Sequence, residues 1–211
     1  MDLQHQIARA LLAIGAVGLS IENPITFKSG IKSPVYVDNR KFPFYPGQWR
    51  KVVEGFAALM RDQGLDADVI AGIETAGIPH SAALGFFLEK PSVFVRKEAK
   101  DHGTKKRVEG GDVQGKQVLL IEDLVTTGLS SLSGVAALRE EGALISDCLI
   151  IISYGLPEAE QAFQGADVNL HALTSFPVVL EEAQSLGIYS AAERAVVEAW
   201  MKNPRAWGEE K

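Results

Sequence analysis

Val118-Leu-Leu-Ile-Glu-Asp-Leu-Val-Thr-Thr-Gly-Leu-Ser-Ser131 decides the reading of this chain: an apolar strand runs into two adjacent acids, then into a turn of Thr, Gly and Ser that opens a helix. Ligands in open α/β sheets lie beyond the carboxyl ends of the strands, so Glu122 and Asp123 would stand at the crevice with acceptors suited to a vicinal diol. Thr126, Thr127, Gly128, Ser130 and Ser131 offer hydroxyl and backbone N–H donors at a helix N-terminus, where the dipole and the unpaired N–H groups favour a phosphate. A diol beside a phosphate is a ribose phosphate. The bland alternative is that Ser130 or Ser131 caps the helix while the acids face water. That would suffice for a lone Thr-Thr-Gly, but the acid pair directly after the strand weighs against it.

Outward from this stretch, strands alternate with helices. Val69-Ile-Ala-Gly-Ile73 is a short apolar run, Glu74-Thr-Ala-Gly77 a turn, Ile78 to Leu88 a helix and Ser92-Val-Phe-Val95 a strand. The rhythm repeats through Gln117–Ile121, a helix of roughly Ser131 to Glu141 closed by Gly142, and the strand Ser146–Ser153. Fully apolar strands of this kind suit a mostly parallel sheet covered by helices on both faces. Before it come helices over Leu3–Ile14 and Gln48–Gln63, with two short strands and a turn between Ile25 and Arg40. The tail from Glu181 to Trp207 reads as helical, broken at Gly187 and with Pro204 near its end. The expected fold class is α/β in a single domain, 1–211, with a core of about 65–170 and a small hood subdomain from 1–64 and parts of the tail.

Composition narrows the function classes. The 211 residues hold 27 acids against 21 Lys and Arg, a net charge of −6, with 46% apolar content. Ordinary apolar usage excludes a disordered or collagen-like chain, and the acidic balance argues against a general nucleic-acid or anionic-membrane binder. Cys148, the only cysteine, sits in an apolar run and cannot form an intrachain disulfide. The first residues carry no basic and apolar leader pattern, and no apolar run reaches membrane-spanning length, so the expected location is the cytoplasm, with no membrane and no nucleic acid as partners. His5, His80, His102 and His171 show no metal-ligand spacing, so no dedicated metal site is expected.

Two phosphate-loop lookalikes fail on context. Gly110–Lys116 has Walker-like glycine and lysine spacing, but Gln117 stands where Ser or Thr is needed and the loop precedes a strand, so it is a turn. Gly72-Ile-Glu-Thr-Ala-Gly77 follows a strand but continues Ile-Pro, although backbone N–H groups of 74–77 could still cradle an anion. Arg96 to Gly111 gathers six cations in a connection long for a compact domain. A solvated charged loop is the commoner fate of such a run. In an acidic chain the gathered cations favour a lid that brings Lys and His over a polyanion.

The stretch Val118–Ser130 closely resembles the phosphoribosyl-diphosphate motif of the type I phosphoribosyltransferases. Arg96-Lys-Glu-Ala-Lys-Asp-His-Gly103 is similar to the catalytic loop of their orotate branch, as are Phe27-Lys-Ser-Gly-Ile-Lys-Ser-Pro34 and Ala76-Gly-Ile-Pro79. The resemblance covers nearly the whole chain. It implies transfer of a phosphoribosyl group from phosphoribosyl diphosphate to orotate, giving orotidine 5′-phosphate and pyrophosphate with Mg²⁺ carried by the substrate. By the same resemblance Glu122 and Asp123 hold the ribose hydroxyls, Thr126, Thr127, Gly128, Ser130 and Ser131 hold the 5-phosphate, and Leu124, Val125 and Leu129 complete the phosphoribosyl-diphosphate site. Lys28, Arg96, Lys97 and the turn Glu74, Thr75, Ala76, Gly77 hold the pyrophosphate. Lys100 and His102 arrive on the lid, with Asp123 completing the catalytic set, and the family's homodimer shares the lid, 97–112, across its interface. Orotate falls to Lys28, Thr126 and Arg40. Two departures stand out: Ala76 occupies a position where some orotate enzymes carry lysine, and Tyr154-Gly155 follows a strand after which many have Asp-Arg. A purine or xanthine phosphoribosyltransferase, a ribose-phosphate-sensing regulator and a noncatalytic module are the competing readings.

Overall fold

The computed structural model describes residues 2–27, 29–98 and 106–209. Asp2 accepts from the His5 backbone N–H at 3.1 Å and so caps α1, Leu3–Ala13, whose Ile7, Ala8, Ala10 and Leu11 form one buried face. A short strand that the sequence reading did not anticipate, β1 (Val17–Leu19), follows. Next come β2 (Ile25–Thr26), β3 (Lys32–Ser33) and β4 (Val35–Val37); β2 pairs with β3 and β1 with β4, both antiparallel. A 3-10 helix, Asn39–Phe44, leads into α2 (Pro46–Gln63), which starts two residues earlier than expected because Pro46 can occupy the first turn without wasting an N–H.

The central sheet follows. Its first strands are β5 (Val69–Ile73) and β6 (Ser92–Val95), joined by α3 (Gly77–Leu88). After β7 (Val108–Glu109) come β8 (Gln117–Val125), α4 (Leu129–Glu140), β9 (Leu144–Ser153), α5 (Pro157–Gly165) and β10 (Asn169–Ser175). The six strands lie in the order β10-β9-β8-β5-β6-β7, all parallel except the β6–β7 pair at one edge. The tail that reads as one broken helix is three: α6 (Phe176–Ser185), α7 (Ala191–Lys202) and α8 (Pro204–Glu209).

Two hydrophobic clusters fill the two faces of the sheet. One joins α1, α2, α6 and α7 through Leu11, Phe56, Val179 and Trp200; the other lies under α4 and α5 around Leu138, Cys148 and Phe163. Every residue of β5 is buried, as expected of a central parallel strand. After β5 the chain turns to one side, to β6, and later returns on the other side as β8. This reversal of strand order at β5 and β8 opens a crevice beyond their carboxyl ends.

Two glycines let the crevice close up behind. A Cβ on Gly77 would lie 2.5 Å from the Ile121 carbonyl oxygen, and one on Gly72 would lie 2.7 Å from the Gly77 carbonyl oxygen. The start of α3 therefore packs against the backbones of both strands, at a distance only glycine permits.

Candidate functional site

The decisive stretch lies on β8 and the turn after it. The strand continues through both acids to Val125, because Leu124 and Val125 pair with Ile152 and Ser153 of β9. Glu122 and Asp123 therefore sit within the strand's end instead of beyond it, and successive residues face opposite sides. Glu122 is buried and accepts from the Asp123 backbone N–H at 3.0 Å; Asp123 is half-buried. Burial, then the neighbouring Asp123 charge, pushes the Glu122 carboxyl well above the usual range. Burial raises Asp123 too, opposed by hydrogen bonds from Glu122 and Asn39.

Asn39 is a site residue that sequence reasoning missed. It is fully buried and its Nδ2 donates to the Asp123 carbonyl oxygen at 3.1 Å. Beside it, Trp49 Nε1 donates to His80 Nδ1 at 3.0 Å. An indole N–H can only donate, so His80 carries its own proton on Nε2. Burial pushes this imidazole down to about 4, so it is neutral and structural. The available signal was the polar run Asp38-Asn39-Arg40 directly after an apolar strand, where only Arg40 drew notice.

Beyond β8, Gly128 adopts φ +84° and is the N-cap of α4, which begins two residues before the expected Ser131. No side chain caps this helix, so neither Ser130 nor Ser131 plays the capping role. The first-turn N–H groups are left for a ligand or water. Ser130 is exposed while Ser131 is buried. The turn borders a cavity of about 740 Å³. Leu124 to Ser131 form one wall; Phe27, Ser29, Asp38 and Arg40 from the β2–β4 region, with Tyr154 after β9, form the other. Arg40 stays largely exposed and bonds Asp38 at 2.6 Å. Glu122 and Asp123 do not line this cavity.

A second, smaller cavity of about 130 Å³ carries the cations Arg96, Lys97 and Arg107, and Ser130 borders both. Arg96 and Arg107 hold each other by backbone and side chain: the Arg96 N–H donates to the Arg107 carbonyl at 2.8 Å, and Arg107 Nε donates back to the Arg96 carbonyl at 2.9 Å. The two flanks of segment 97–106 therefore meet at one point. In the turn after β5, Glu74 Oε2 accepts from the Lys97 backbone N–H at 3.0 Å, which ties that turn to the same flank. Thr75 and Ala76 complete the turn, and Ala76 precedes the first residue of α3. Lys28, Lys100 and His102 lie outside the described residues.

A family model described as phosphoribosyl transferase domain matches residues 48–160. The orotate phosphoribosyltransferase of Coxiella burnetii is 41% identical to this chain, covering 98% of it and 99% of the relative. Among solved structures, the orotate phosphoribosyltransferase of Aeropyrum pernix matches with a TM-score of 0.75 at 27% identity, over 87% of this chain and 99% of that one. The UMP synthase of Leishmania donovani matches with a TM-score of 0.84 at 25% identity; it covers 95% of this chain, which spans 42% of that longer protein.

Proposed function

Because the chain belongs to the phosphoribosyltransferase family and, within it, to the orotate phosphoribosyltransferases, we propose that it transfers the phosphoribosyl group of phosphoribosyl diphosphate to orotate, releasing pyrophosphate, as a step of pyrimidine synthesis. The observation that carries this reading is the uncapped start of α4, opening with Ser130 between a roomy, partly aromatic cavity and a small cationic one. The 5-phosphate lies against the N–H groups and hydroxyls of Thr126 to Ser131, where the helix dipole favours it. Pyrophosphate lies toward Arg96, Lys97 and the turn 74–77, and the base lies in the larger cavity near Thr126, Arg40 and Lys28.

The transition state joins a cationic sugar to a departing polyanion, so donors are needed on the anion and carboxylates near the ribose. Asp123, with Glu122 behind it, supplies the carboxylate; Lys100 and His102 approach the leaving group from segment 97–112. A magnesium ion carried by the diphosphate, itself held by Arg96, Lys97 and the turn 74–77, would supply neutralisation of the leaving group's charge. On this reading the ion's ligands are substrate oxygens. The active form is a homodimer in which that segment reaches the neighbouring site, and no helix among the described residues is long and apolar enough to cross a membrane.

The deciding experiment follows orotate's ultraviolet absorbance with phosphoribosyl diphosphate and Mg²⁺, with adenine, hypoxanthine, xanthine and uracil in parallel. Turnover of orotate alone is the expected result. Turnover of a purine instead would overturn the orotate assignment.

A further inference from the structure

Tyr154 is the first residue after β9, at the same carboxyl edge of the sheet as the turn after β8. Its ring is enclosed by Phe27, Phe176 and Trp200, with centroids 5.7, 5.3 and 5.4 Å away, and only 1% of the residue is exposed. Trp200, in the same cluster, satisfies its indole N–H on the Lys32 carbonyl at 2.9 Å. The Tyr154 hydroxyl is different: it is buried and has no hydrogen-bond partner among the described residues. A buried hydroxyl left unpaired costs about 1–3 kcal/mol, and packing alone is served equally well by phenylalanine.

Three observations give this hydroxyl a role. Tyr154 borders the large cavity. Burial, and after it the Asp123 charge, raises its pKa, so the hydroxyl stays protonated and able to donate. Ser29, on the turn between β2 and β3, borders the same cavity with a second buried and unpartnered hydroxyl. The wall opposite the α4 turn therefore presents an aromatic surface with two polar atoms that no described residue satisfies. A flat ring carrying oxygen acceptors would meet both demands at once.

We propose that the Tyr154 hydroxyl is a specificity-determining group that donates a hydrogen bond to an oxygen of the bound pyrimidine base, with Ser29 as its neighbour on the same wall. The inference rests on the function proposed above and adds how the base is gripped: by a neutral donor in an apolar cage, one residue before the position at which many orotate enzymes carry arginine.

The test compares wild type with Tyr154→Phe and, separately, Ser29→Ala in steady-state kinetics over both substrates, with thermal unfolding of each protein alone. For Tyr154→Phe the Michaelis constant for orotate should rise about tenfold, the loss of one hydrogen bond to a partner left buried, while that for phosphoribosyl diphosphate stays within about twofold. The melting temperature of the free protein should hold or rise, because the substitution removes an unpaired polar group. An unchanged orotate constant would overturn the proposal, as would a lower melting temperature with parallel losses for both substrates, the mark of a packing role. A wild type that turns over no orotate would instead overturn the functional reading beneath it.

Discussion

At Glu122 two costs coincide: its carboxyl is buried, and Asp123, the next residue, carries a like charge. Both raise the folded-state pKa above that of the unfolded chain. The folded state then binds more protons than the unfolded one between the two values, so stability falls as pH rises from about 4.5 through the folded pKa and stays reduced above it. Glu122→Gln keeps the oxygen that accepts the Asp123 N–H and removes the charge. Its melting temperature should exceed that of wild type at pH 8 by at least about 2–4 °C, the shift that 1 kcal/mol produces in a chain of this size, with the gain vanishing near pH 4. A gain equal at both pH values would show that packing, not ionisation, is responsible. On the proposed function the cost is tolerated because the acid pair is relieved when a cationic sugar forms beside it.

Helix α4 gives a test in which stability and function move in opposite directions. Ser130 is at the second position of a helix without a side-chain cap. A carboxylate there complements the dipole, so Ser130→Asp should raise stability by about 0.3–1 kcal/mol in thermal unfolding. The same charge occupies the place assigned to the 5-phosphate, and the Michaelis constant for phosphoribosyl diphosphate should rise at least about tenfold by charge repulsion. If substrate affinity survived, the phosphate would have to bind elsewhere. At the start of α3, Gly77→Ala sets a Cβ 2.5 Å from the Ile121 carbonyl oxygen, which must force helix and strand apart at a cost of about 1–3 kcal/mol, read as a lower melting temperature. Much at this scale was legible in the sequence: apolar runs separated by turn residues mark β5, β8 and β9 and leave α3 between β5 and β6, and helical periodicity marks α1 and α2. Strands β1 and β7 were not, because runs of three and two residues carry too little alternation to register and exist only through their partners, β4 and β6. The site divides in the same way. Acids, glycines and hydroxyls in one contiguous stretch can be read directly, whereas Asn39 reaches Asp123 across 84 positions and declares itself only once the chain is folded.

The whole molecule poses the question of copies. Phe44 is 83% exposed and Phe86 90% exposed in the single chain, whereas large apolar rings are normally covered. Arg96 and Arg107 anchor both flanks of segment 97–106 at the rim of the small cationic cavity. If the proposed homodimer shares this segment between sites, each active centre takes its body from one chain and its Lys100 from the other. Lys100→Ala and Asp123→Asn should then each be nearly inactive alone, since one lacks the lid cation and the other the ribose carboxylate. Unfolded together and refolded at equal concentration, half of the dimers contain one chain of each kind. Every such dimer rebuilds one intact site from the Lys100→Ala body and the Asp123→Asn lid, so activity should return to about a quarter of the wild-type value. Light scattering of the same mixture should give twice the chain mass of 22.8 kDa. A mixture that stays inactive while its mass is that of a dimer would place Lys100 over the site of its own chain, and a mass of one chain would remove the shared lid altogether.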